Sequence, residues 1–88
     1  MMTEHFLDVS QLEPPEPMEQ ILALIPTLRE GDYIKVYHRR EPVPLFTILE
    51  TMGYTWHTDK LDDDRYHIYI WRKDDSTAER QLPIAATR

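Results

Sequence analysis

The chain has no cysteine among its 88 residues. That removes disulfides, thiolate metal sites, cysteine nucleophiles and persulfide chemistry, and it leaves the fold to be held by its core alone. Positive charge is scarce as well: 10 Lys and Arg stand against 16 Asp and Glu, a formal net charge of −6. A surface of that sign repels a phosphate backbone, whereas nucleic-acid domains carry a basic stripe, so no nucleic-acid partner is expected. No apolar run is long enough to span a bilayer, and the N-terminus has no apolar leader-like segment. The expectation is therefore no membrane association and a cytoplasmic location. Internal repeats are absent too.

What is present is ordinary for a soluble globular protein, with 41% hydrophobic and 30% charged residues. A chain of this size has room for a single domain with one core and one shallow site. Residues 5–9, HFLDV, read as a strand with Leu7 and Val9 on one face. In LEPPEPMEQILALI the prolines sit directly ahead of Met18, Ile21, Leu22 and Ile25, which recur at helical spacing. Proline is tolerated in a first helical turn because its missing N–H would have no partner there, so a helix is expected over about Pro15 to Ile25. Pro26 and the REGD turn at 29–32 end it.

DYIKVYH, 32–38, alternates Ile34 and Val36 against Tyr33, Lys35 and Tyr37, the period of a strand with one covered face. After prolines 42 and 44, Leu45, Ile48, Leu49 and Met52 form a second amphipathic stripe that stops at Gly53. YTWHTDKL and RYHIYIWRK flank the aspartate turn at 62–64 and read as a hairpin. The helical stripes, Met18 and Met52 included, are read as core. Beyond Asp74 periodicity is lost, so residues 1–73 are expected to be the domain and 74–88 a flexible tail in which LPI docks at most locally.

The order β-α-β-α-β-β joins the first two strands through a helix, which favours a parallel pair, while the last two are antiparallel. The expected fold is an α/β (α+β) two-layer sandwich: a mixed four-stranded sheet with two helices on one face and the other face open.

LDVSQLEPPEPMEQIL, followed by the REGD turn and a strand, resembles the start of the small SirA/TusA-like proteins, in which an LD-x-x-G-L stretch leads into C-P-x-P at the head of the first helix. The resemblance runs to about residue 73. It is nearest to an uncharacterised branch, a domain of unknown function, whose second strand leads into a histidine-bearing loop with P-x-P-L, here HRREPVPLF. It implies a TusA-like fold. In the sulfur carriers of that group the motif's cysteine accepts a persulfide at a helix N-terminus. Pro14 stands in that place here, followed by Pro15, Glu16 and Pro17, so the family's sulfur transfer does not carry over.

Two candidate sites follow. Parallel first and second strands would bring the helix N-termini and EPPEP to one sheet edge with His38, Arg39 and Arg40, equipment for a small anion with Glu16 alongside. Glu13, Glu16 and Glu41 compete for the same arginines, and a self-paired solvated loop is the plain alternative. Tyr33, Tyr37, Tyr69 and Trp71 alternate away from the core residues and would leave an aromatic surface for an unidentified protein partner or for self-association. Against that, aromatic residues are simply good strand formers. His57 and His67 fall on the same outer face with Asp59, but no closely spaced ligand set accompanies them, and no metal or cofactor is expected. No catalytic constellation can be argued either: the aspartate run is a solvated turn, and His38 beside Arg40 is the sole acid or base to consider. The leading expectation is a non-catalytic binding or adaptor module; the competitor is an anion or small-ligand site at His38, Arg39 and Arg40.

Overall fold

A computed structural model describes residues 3–83. Four strands, β1 (Glu4–Asp8), β2 (Tyr33–His38), β3 (Tyr54–Lys60) and β4 (Tyr66–Arg72), form one sheet in the order β1-β2-β4-β3. β1 and β2 run parallel, and β4 is antiparallel to both β2 and β3. The mixed sheet is the expected one. Two helices, α1 (Glu16–Leu24) and α2 (Val43–Thr51), cover one face, and a turn of 3₁₀ helix at Ile25–Thr27 accommodates Pro26.

Alternation decides which residues meet the helices. Ile34 and Val36 of β2 pair with Ile70 and Ile68 of β4, all fully buried, and Ile21 of α1 and Leu45 and Leu49 of α2 close over them. Val9 lies just past β1 and keeps the ladder going, its N–H donating to Tyr37 O at 3.0 Å. Phe46 of α2 stacks on Trp56 of β3, ring centroids 4.7 Å apart, and thereby fastens the second helix to the far edge strand. Met52 departs from the expected stripe. The buried face of α2 is Leu45, Phe46 and Leu49, and Met52 falls past the last helical residue at the C-cap, 45% exposed. Gly53 follows with φ of +84°, the left-handed geometry that stops a helix.

The larger correction concerns the tail. Of the residues expected to be flexible, Ser76–Gln81 form a third helix, α3, which packs on the face opposite α1 and α2. Asp75 caps it, one carboxylate oxygen accepting from Ala78 N–H at 3.0 Å and the other from Gly31 N–H at 2.8 Å. A side chain that satisfies a free helix N–H while bridging to another element fixes both the start of α3 and its position. Leu82 of the LPI stretch is fully buried; Ile84 lies outside the described residues.

Candidate functional site

Both helices begin at the edge where β1 and β2 end, so the proline-rich stretch and the HRREP loop do meet there. Their charges face each other. Arg39 Nη2 lies 3.0 Å from Glu13 Oε2, the competing pair. Glu16 is exposed at the first position of α1, and Arg40 is exposed in the loop between β2 and α2. His38 is buried, and its Nδ1 accepts the Arg40 backbone N–H at 3.1 Å, which puts the ring proton of the neutral form on Nε2. Burial first, and then the charges of Arg39 and Arg40, hold this imidazole below its ordinary value of 6.5. A neutral, internally bonded histidine orders the turn out of β2 and is poorly placed to meet an anion. On the neighbouring strand end, Ser10 donates both its N–H (2.9 Å) and its hydroxyl (2.7 Å) to Asp8 Oδ1, and these bonds keep the Asp8 carboxyl below the usual range.

The outer face of the sheet divides in two. Tyr33, Tyr69 and Trp71 are each no more than 5% exposed, gathered with Ala78 and Leu82 into a second apolar cluster beneath α3. The expectation of a bare aromatic surface is corrected at these three positions, because α3 supplies the cover that two helices on the other side cannot. Burial pushes the Tyr33 hydroxyl well above its ordinary range, and its hydrogen bond to Glu4 (2.9 Å) adds to that. Trp71 Nε1 is buried with no hydrogen-bond partner among the described residues.

Toward the β3–β4 turn the same face is uncovered. Phe6 of β1 is 54% exposed and sits in register beside Lys35, with Tyr37 and His67 in the next row, rings 5.7 Å apart. Tyr37 donates its hydroxyl to Asp63 of the turn, and Arg65 lies 5.7 Å over its ring. His57 and His67 share this face as their spacing implies, but His57 Nε2 donates to Asp59 at 2.8 Å, and Asp59 is in register with His67. Among the described residues no group of three or more His, Asp or Glu converges as a metal site would require. Phe6 escaped the sequence reading because its neighbours Leu7 and Val9 claim the strand's buried face; the alternation itself assigned Phe6 to the outside.

The opposite sheet edge, which the sequence left unassigned, holds two open clefts around the 29–32 turn. One, of about 330 Å³, is bordered by Arg29, Arg72, Asp74 and Ser76; the other, of about 660 Å³, by Thr3, His5, Thr27 and Gln81. His5 Nε2 donates to Asp32 at 3.0 Å across the second. Partial burial of Asp32 acts against ionisation, but the hydrogen bonds from His5 and the Arg29 N–H outweigh it and lower the carboxyl's pKa.

Residues 6–72 match a protein family described as Uncharacterized conserved protein (DUF2249). The chain belongs to the DUF2249 family. The matched span takes in all of β2 to β4 and both core helices and ends before α3. No curated protein and no solved structure matches the chain. Membership in DUF2249 accords with the domain-of-unknown-function half of the sequence resemblance; the TusA-like half is a finer reading. Among the described residues, no helix is long and apolar enough to cross a membrane.

Proposed function

We propose that this DUF2249 domain is a non-catalytic binding or adaptor module of TusA-like fold, acting in the cytoplasm on a partner protein through the outer sheet face and the proline-rich edge. The observation that carries the reading is the exposure of Phe6, 54%, in register beside Lys35 on a sheet face whose next row holds Tyr37 and His67. A large exposed apolar side chain with a lysine in register beside it, an aromatic ring in the next row and the Glu4 and Asp8 carboxylates along its own strand has the mixed composition of a protein contact. Burial of Tyr33, Tyr69 and Trp71 moves the contact from the whole aromatic face to this uncovered half, with Tyr37 its aromatic member. The proline edge adds exposed Pro14, Pro15 and Glu16.

A photocrosslinking amino acid placed at Phe6 or at Tyr37 in the full chain, in cells that make the protein, should yield a discrete adduct. The same probe at Glu50, exposed on α2, should yield none. No adduct on the sheet, or equal labelling at position 50, overturns the reading. The anion alternative draws on Arg40, exposed next to the helix N-termini. An amide titration with phosphate and thiosulfate that gives saturable shifts confined to Glu16, His38, Arg39 and Arg40, with no adduct at Phe6, would install it instead.

A further inference from the structure

The molecule has two apolar clusters, and the one beneath α3 is built differently from the core. Its floor is Tyr33, Tyr69 and Trp71, and its lid is two side chains, Ala78 and Leu82. Beyond these, α3 is tied down by the Asp75 bond to Gly31 N–H and by Thr77, whose methyl would lie 3.3 Å from a Cβ at Gly31. A helix of six residues does not form by itself, so α3 exists only while docked. The two clefts flank its contact with the 29–32 turn, and Thr77 borders both. Docking also leaves the Trp71 indole N–H buried and unpaired among the described residues, so the resident helix leaves a polar anchor of the floor unused. All of α3 lies beyond the span matched to the family.

We propose that this floor is a receptor slot for a short capped helix, that α3 is its resident occupant, and that a partner protein's helix with the same spacing displaces α3. The spacing is read from what now fits. An acidic cap meets the Gly31 N–H, a small residue three positions on permits close approach to the aromatic floor, and a leucine seven positions on fills the end, as Asp75, Ala78 and Leu82 do. A partner that also sets an acceptor against Trp71 Nε1 gains a bond α3 lacks. The slot rests on the reading of the outer face as a contact surface. Phe6 lies outside the cluster beneath α3, so that reading and this one can fail separately.

Two measurements on the full chain decide it. In the unaltered protein, the Gly31 and Ala78 amides should exchange at least about 100-fold faster than those of Ile68 and Ile70, as local undocking requires. Exchange of all four with one common opening free energy would make α3 inseparable from the core and overturn the proposal. Second, a fluorescent peptide of sequence DDSTAERQLP, residues 74–83, should bind the Asp75→Ala chain saturably and about tenfold tighter than the unaltered chain, whose own α3 blocks the slot. The same peptide with arginine at the Ala78 position should not bind. Absence of binding, equal binding of the arginine peptide, or global unfolding of Asp75→Ala by circular dichroism overturns the slot. So does a concentration-dependent dimer of the unaltered chain whose subunits have exchanged α3, since the occupant would then be a second copy.

Discussion

The two faces of this sheet are made from the same four strands in the same register, yet they are filled by different rules. The centre of the inner face is aliphatic, with Ile34, Val36, Ile68 and Ile70 sealed under Ile21, Leu45 and Leu49. The outer face is aromatic and polar; α3 seals one half of it, and the other half carries Phe6, Lys35, Tyr37 and His67. A strand's alternation therefore says which side chains share a face and leaves open how each face is covered. Large-to-small substitutions should separate the two most strongly. Ile70→Ala is expected to cost about 4 kcal/mol in urea melts, because a hole between sheet and helices cannot collapse. Leu82→Ala should cost about 2 kcal/mol, since α3 can undock instead. Equal losses would mean that both faces belong to one cooperative core.

The glycines give a finer version of the same contrast. Gly31 and Gly53 both hold positive φ, +90° and +84°. An alanine at either suffers that backbone strain, about 1 kcal/mol. Only at Gly31 does the new Cβ press on Thr77 of α3, so Gly31→Ala should lose about 2 kcal/mol against about 1 for Gly53→Ala. The same substitution should accelerate exchange at Ala78.

Acid should act through the inner edge and the outer face at once. His38 and His67 are both held below the ordinary 6.5, each first by burial, then by Arg39 and Arg40 for His38 and by Lys35 for His67. Below that value the unfolded chain binds protons that the folded chain refuses. Their contribution is thus fully present above pH 6.5 and is lost as pH falls through the depressed folded values. A second, separate limb follows in stronger acid. Asp8, Asp32 and Asp63 sit below 3.8, so the stability they supply persists above that pH and is lost as pH drops through their folded values. Urea midpoints between pH 7 and 5 should fall in the unaltered protein and fall less in His38→Gln; an unchanged slope would remove His38 from the first limb.

How much of this was legible depended on the length of the pattern. Ile34 and Val36, and again Ile68 and Ile70, repeat at the strand period in runs long enough to fix both face and register, and the two-layer sandwich follows from their order. α3 was missed because Ala78 is the one apolar residue within its short span and Leu82 lies just past its end, too few to show a period. Its legible sign was the cap, Asp75 ahead of the helix formers Ala78, Glu79, Arg80 and Gln81. Met52 continues the apolar spacing of the stripe and so read as core, but the helix ends at Thr51 and leaves it exposed at the C-cap. At the proline-rich edge the sequence offered Arg39 three acidic neighbours; only the turn geometry selects Glu13.

Trp56, His38 and Thr58 interrupt the aliphatic inner face, and of these Thr58 carries a hydroxyl. Thr58 faces the helices in register with Ile68, and its hydroxyl is buried without a partner among the described residues. Thr58→Val keeps the shape and removes that group, so a gain of about 1 kcal/mol is expected from denaturant unfolding. A loss would mean that the hydroxyl is satisfied in solution.

The smallest stability effect belongs to the residue with the largest expected role in binding. Phe6 is half out of the fold, and Lys35 beside it needs only its own stem and the Tyr69 ring, 5.8 Å from Nζ, to hold its place. Phe6→Ser therefore removes little buried area and should move the unfolding free energy by less than about 0.5 kcal/mol. An apolar side chain at a position where the fold gains almost nothing from it is what a contact surface requires. Should Phe6→Ser instead cost as much as Leu82→Ala, Phe6 is packed in solution and the outer face is one surface, with no uncovered half for a partner.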